Sequence, residues 1–137
     1  MSVPTSDLIP RYEKLSTPMV YDILDRMGLP NQALCAAIKP LSPAMKVAGP
    51  AFTIYGEEDR ADDPQAGYRM FREIVPGSVL VMASNGHRVS GPWGENASIT
   101  AQMRQARGMV TDGGTRDANE VVELGFPLFC RFVSPVF

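Results

Sequence analysis

Ser78-Val79-Leu80-Val81-Met82-Ala83 and Met109-Val110-Thr111 are compact apolar runs, and each leads into a glycine-rich loop followed by a stretch of helical character. An apolar run without polar alternation reads as a strand covered on both faces, the kind found in parallel sheets. Parallel neighbours cannot be joined by a tight turn, so a helical crossover has to connect them. Pro127 to Val133 begins a third run of this type, behind a short helix from Ala118 to Leu124 that Gly125 stops. The succession strand, helix, strand, helix, strand argues for a partly parallel α/β sheet with right-handed crossovers.

Upstream, Asp7 to Met27 reads as two short helices. Leu8, Tyr12 and Leu15 recur at helical spacing; Ser16-Thr17-Pro18 then offers Thr17 as a cap before proline, and Val20, Ile23, Leu24 and Met27 form an apolar face that ends at Gly28 and Pro30. Prolines 40, 43 and 50 argue for irregular chain with short strands, and Lys46 to Tyr55 reads as a strand pair or a bent strand with Pro50 at an edge or bulge. Gly56 to Asp63 looks like a solvated acidic loop, and Pro64 opens a helix with Tyr68, Phe71 and Val75 on one face. At 137 residues and 45% apolar content, one domain, residues 1–137, is expected. Only Ser134-Pro135-Val136-Phe137 follows the last apolar run, so the domain is expected to be shortened at its C-terminus.

The formal net charge is -2, and the 13 Lys and Arg residues are scattered, which argues against nucleic acid or an anionic membrane as primary partner. No run approaches the length of a membrane span and the N-terminus lacks a secretory pattern, so a cytoplasmic protein is expected. Cys35 and Cys130 lack metal or redox spacing and read as buried apolar residues. His87 is the only histidine, which excludes a site of several imidazoles; it reads as a solvent-facing loop residue. Ser90 and Ser98 show no arrangement with a histidine and an acid.

Two loops follow strands and could hold chemistry, because ligands of open α/β sheets gather beyond the carboxyl ends of strands, notably where strand order reverses. The first, Asn85 to Asn96, ends at a helix start, where unpaired amides and the helix dipole favour an anion and Gly94 permits close approach. Trp93 beside it serves as a pocket wall or as a core indole. The second is Asp112-Gly113-Gly114-Thr115-Arg116-Asp117. Arg116 can fork onto a carboxylate. Asp117 can offer hard oxygen to Mg²⁺ or Mn²⁺, or cap the helix that starts at Ala118. Asp112 suits its own glycine turn.

The segments "LSTPMVYDILDRMG", "IKPLSPAMKVAGPAFTI", "IVPGSVLVM", "WGENASITAQMRQARGMVTDGGTRD" and "NEVVELGFPLFCRFVSP" resemble the RraA-like proteins, which include the 4-hydroxy-4-methyl-2-oxoglutarate aldolases. The block from Gly94 to Asp117 is the specific part. The resemblance implies an α/β fold of the β/β/α swivelling type, a homotrimer or hexamer with sites at subunit boundaries, and a small 2-oxo acid as substrate. It also implies that the backbone of Gly94, Glu95, Asn96 and Ala97 holds the substrate carboxylate, that Arg116 binds substrate, and that Asp117 holds the metal. Gln105-Ala106-Arg107 departs from the small or apolar residues usual in the family.

The implied activity is a divalent-metal-dependent retro-aldol cleavage of a 4-hydroxy-2-oxo acid to pyruvate, with Mg²⁺ or Mn²⁺ and Arg116 stabilising the enolate and a metal-associated water as base. The same enolate chemistry would decarboxylate oxaloacetate. Two alternatives stand beside it: a non-enzymatic regulator that binds a ribonuclease, and an inactive shortened homologue. Members of the regulator branch tend to lose the metal-site aspartate, whereas "TRD" is retained here.

Overall fold

The computed structural model describes residues 5–56, 63 and 65–136, with side chains from Asp7 onward. Most of the acidic loop read from Gly56 to Asp63, and Pro64 after it, lie outside the described residues. The chain divides into two compact units, Met1–Ala36 and Ala37–Phe137.

The first unit carries α1 (Thr5–Tyr12) and α2 (Thr17–Arg26), the two helices expected. Ser16, not Thr17, holds the N-cap position of α2, and it makes no side-chain cap bond; Thr17 is already helical. The end of α2 follows the glycine rule. Gly28 takes a left-handed φ of 76°, its N–H reaches the Asp25 carbonyl, and the Leu29 N–H reaches the Leu24 carbonyl, the paired bonds of a Schellman stop. The expected apolar face is divided, with Val20 and Leu24 half-buried and Ile23 and Met27 exposed.

The second unit holds the sheet. Its strands are β1 (Lys39–Pro40), β2 (Ala51–Tyr55), β3 (Val79–Ala83), β4 (Gly108–Thr111) and β6 (Leu128–Cys130), in the order β1-β6-β4-β3-β2. The pairs β2–β3, β3–β4 and β4–β6 are parallel, while β1 joins β6 antiparallel. The crossovers carry α3 (Ala66–Glu73), α4 (Glu95–Met103) and α5 (Ala118–Glu123). Along β2, β3, β4 and β6 the order runs in one direction, so the parallel part contains no reversal of strand order. The loops therefore owe their proximity to neighbouring strands and not to a switch point.

Several boundaries differ from the sequence reading. Pro50 lies outside β2, where its missing N–H costs no ladder bond, and its carbonyl accepts the Val79 N–H at 2.8 Å. Helix α4 stops at Met103, since Gln105 adopts a φ of 61° and the Arg104 guanidinium turns to the Phe71 and Arg72 carbonyls at the end of α3. Arg107, the departure from the family pattern, donates from Nε to the Ala48 carbonyl at 2.8 Å. Phe71 faces the core as expected, but Tyr68 and Val75 are exposed and Met70 and Ile74 take their place. In β3 only Val79 and Leu80 are fully buried. The final apolar run is broken at Arg131 into β6 and β7 (Phe132–Val133), and β7 pairs in parallel with β5 (Gly114–Thr115), a strand inside the expected loop.

The core joins Leu80, Met109 and Leu128 from adjacent strands to Ala101 of α4, Val121 of α5, Ile74, Trp93 and Phe126. Burial of such side chains contributes roughly 1.5 to 3 kcal/mol each before the cost of ordering the chain. This core fixes the ends of β3 and β4 side by side: Met82 is opposite Thr111, and the two loops singled out in the sequence begin just beyond the strands.

Candidate active site

The loop after β3 and the loop after β4 are joined at three levels. Nearest the sheet, the Asp112 carboxylate accepts from the Ser84 N–H at 2.6 Å and from its hydroxyl at 2.8 Å. Burial alone would raise the Asp112 pKa, but the Ser84 donors, its own N–H and the charge of Arg131 together hold it below the ordinary carboxylate value. The glycine turn expected to belong to Asp112 is closed instead by Thr111, whose hydroxyl accepts the Gly113 N–H at 3.0 Å.

At the middle level Trp93 bridges to Thr115. The Trp93 carbonyl accepts both the Thr115 hydroxyl and the Arg116 N–H, each at 2.8 Å. Its indole is 3% exposed, donates to the Ser98 hydroxyl and lies 5.8 Å from the Phe71 ring, so Trp93 is a core residue and not a pocket wall. Ser134 N–H donates to the Thr115 carbonyl on the other side, which leaves β5 held from both flanks.

The outer level contains the residues named from sequence. Asp117 holds the N-cap position of α5 but makes no cap bond to it. Its carboxylate reaches 22 residues back and accepts the Glu95 N–H, in the first turn of α4, at 3.2 Å, with Arg116 Nε 3.4 Å away. The Asp117 backbone is left-handed, φ 53° and ψ 41°, a conformation uncommon for a residue with a side chain and enriched where local geometry serves a site. Gly94 is needed here for space: a Cβ would run into the Asp117 carboxylate and approach Arg116 Cγ to 2.9 Å. Gly94, Glu95, Arg116 and Asp117 thus converge. Asn96 is exposed, and the Ala97 side chain packs against the core, although both backbone amides precede the first intrahelical bond, from Ser98 N–H to the Gly94 carbonyl.

His87 and Ser90, read separately in the sequence, are in contact. His87 Nε2 lies 2.8 Å from the Ser90 hydroxyl and accepts the Ser90 N–H at 2.9 Å. The pair closes a local turn. Spacing of three residues was the signal available for it. Cys130 is buried, and burial pushes its thiol pKa up, as expected for an inert core cysteine. Cys35 is exposed, contrary to expectation, because the chain between α2 and β1 contributes little burial.

Among the described residues no group of three or more His, Cys, Asp or Glu side chains is placed to hold a metal ion. Asp117 is the carboxylate that the outer level brings against Arg116 and the first turn of α4. Mg²⁺ is commonly bound through one or two carboxylates while keeping several waters, so this donor set fits a largely hydrated hard cation and not an all-protein cage. Arg116 and the first-turn amides of α4 supply donors suited to a carboxylate.

Comparison with known proteins identifies the family and the fold. The RraA-like family profile, described as Aldolase/RraA, matches residues 17–137. A Halalkalibacterium halodurans protein bearing the provisional name 4-hydroxy-4-methyl-2-oxoglutarate aldolase is 33% identical over 131 residues, covering 96% of this chain and 59% of its own length. Among solved structures, Streptomyces coelicolor RraAS2, described as an unusual member of the RNase ES inhibitor RraA protein family, superposes with a TM-score of 0.85 at 28% identity over 98% of this chain and 68% of its own. The RNA-processing inhibitor RraA from Thermus thermophilis shares the fold, with a TM-score of 0.67 at 22% identity over 99% of this chain and 71% of its own. The mixed sheet with its helices is the α/β swivelling fold of these relatives, and the chain belongs to the RraA-like family.

Proposed function

We propose that this chain carries the site of a divalent-metal-dependent lyase that cleaves 4-hydroxy-4-methyl-2-oxoglutarate, or a related 4-hydroxy-2-oxo acid, to pyruvate, and that decarboxylates oxaloacetate through the same enolate. The observation that carries this reading is the convergence of Arg116 and Asp117 on the first turn of α4. The name of the Halalkalibacterium relative supports it. Asp117 would hold Mg²⁺ or Mn²⁺. When bound, the ion would supply Lewis-acid stabilisation of negative charge on the substrate oxygens.

The protein's own groups do the rest. The amides of Glu95, Asn96 and Ala97, with Gly94 leaving room, orient the carboxylate end of the substrate. Arg116 presents a planar cation to the charge that develops on the pyruvate fragment, the kind of preorganised electrostatic help that dominates many enzymatic accelerations. Residues 1–137 are taken as one RraA-like domain, since the family match crosses the division after Ala36; by the resemblance to the family it would assemble as a homotrimer or hexamer and work in the cytoplasm. Among the described residues no helix is long and apolar enough to cross a membrane.

A coupled pyruvate-release assay tests the reading. Activity should require Mg²⁺ or Mn²⁺, vanish with chelator, and fall on the order of 10² to 10³ in Arg116→Lys, which keeps the charge but loses the fork. Activity indifferent to chelator and to Arg116→Lys would refute it. The second reading, a regulator that contacts a ribonuclease, draws on the likeness to RraAS2. It predicts inhibition of ribonuclease cleavage that survives Arg116→Lys.

A further inference from the structure

We infer that Asp117 is a built-in competitor for the substrate's carboxylate, so that the two proposed roles of the site cannot both be filled with Asp117 where it stands. The inference rests on the assignment above of the α4 first turn and Arg116 to a carboxylate. One such group already occupies part of this seat. The Asp117 carboxylate accepts the Glu95 N–H and faces Arg116 Nε, and the oxygen involved is the one that a Cβ on Gly94 would strike. The space opened by the glycine is filled by this side chain.

Two features mark the contact as displaceable. The Glu95 contact, at 3.2 Å, is at the long end of N–H···O bonds, the Arg116 contact, at 3.4 Å, is longer than the 2.7 to 2.9 Å usual for a charged pair, and both exceed the 2.6 Å of the Ser84 N–H to Asp112 bond in the same pair of loops. The carboxylate also forgoes capping its own helix while the Asp117 backbone sits in a left-handed conformation. An incoming oxalate or pyruvate carboxylate that is to use the Glu95 N–H must take it from Asp117. A cation that engages Asp117 removes the competitor, and by linkage the anion then favours the cation. Metal and substrate are therefore expected to bind cooperatively, with metal-free anion binding held weak by the protein itself.

Isothermal titration of oxalate into the chelator-treated 137-residue chain tests this without any catalytic readout. Asp117→Gly suits the left-handed backbone, whose φ is 53°, and deletes the carboxylate. It should bind oxalate about tenfold more tightly than the parent, within the usual range of coupling between sites. Asp117→Asn removes the charge but keeps an oxygen for the Glu95 N–H, so its gain should be smaller. Equal or weaker binding by the glycine variant, or equal gains by both variants, would overturn the competition. Should the glycine variant fold poorly, the ¹³Cγ resonance of Asp117 in the parent gives the answer: it should move together with the Glu95 amide as oxalate is added. A Glu95 amide that shifts while Asp117 does not would be equally fatal. Absence of pyruvate release by the parent, together with tighter oxalate binding by Asp117→Gly, would reject the lyase and keep the competitor; metal-dependent release by the parent with unchanged oxalate binding by the variant would do the reverse. No oxalate binding by parent or variants would reject the carboxylate seat and the competitor together.

Discussion

Asp112 and Asp117 lie five residues apart in one loop, and each accepts a backbone N–H from the loop after β3, yet the two contacts differ in kind. Asp112 takes two donors from one residue, Ser84, at 2.6 and 2.8 Å, directly above adjacent strands. Asp117 takes one N–H at 3.2 Å from a helix terminus, on a left-handed backbone, with an arginine beside it. The inner contact completes the hydrogen bonding of a buried serine. The outer one occupies donors that suit an external anion as well as an internal one. A short bond between groups with no other purpose is structural; a long one at a helix start leaves room for exchange.

The strongest way to break this comparison is to delete each carboxylate in turn. Asp112→Ala strands the Ser84 N–H in a nearly buried position and should lower unfolding stability by about 2 kcal/mol. Asp117→Gly should change it by less than about 1 kcal/mol, since glycine relieves the left-handed backbone. Urea denaturation of both variants checks this, and similar losses would mean that the two contacts are equivalent.

Glycines next to each contact sharpen it further. A Cβ on Gly113 would press on Ser84 Cβ and Oγ at 2.8 Å, whereas one on Gly94 would push chiefly on the Asp117 side chain. Gly113→Ala should therefore cost about 1 to 2 kcal/mol of stability through overpacking. Gly94→Ala should leave stability closer to the parent and alter oxalate affinity instead. Thermal melts and oxalate titrations of the same two proteins would show the crossover or its absence.

The smallest expected effect is on acid stability. The Asp112 pKa is lower folded than unfolded, so its contribution is fully present above the unfolded value of about 3.9 and is lost as pH falls through the lower folded value. Denaturation midpoints of the parent should thus decline over that acid window more steeply than those of Asp112→Asn. Parallel profiles would remove Asp112 from the account.

The sequence made the outer contact half legible. Apolar runs identified β3, β4 and β6, and glycine before a helix together with Arg116-Asp117 identified both loops. Local patterns could not show that Asp117 reaches α4 instead of α5, because the two choices differ only by a contact 22 residues away. The Ser84–Asp112 bond was hidden for the same reason, although both residues directly follow neighbouring parallel strands. Strand β5 is two residues long and contains glycine, so neither period nor propensity announces it. The split at Arg131 was equally invisible, since a nearly continuous apolar run gives no register.

The pairing of β5 with β7 has a consequence for the order in which this protein can be made. Thr115 is held on one side by Ser134, and Gly91 in the other loop donates its N–H to the Val136 carbonyl. Both loops are thus fastened by a segment synthesised some twenty to forty-five residues after them. On the ribosome the strands β2, β3 and β4 can meet while that segment is still inside the exit tunnel, but the meeting of Asp117 with Glu95 has no support on its outer flank until residues 132–136 emerge. The outer flank of both candidate loops is in this way completed only by residues made after β2, β3 and β4.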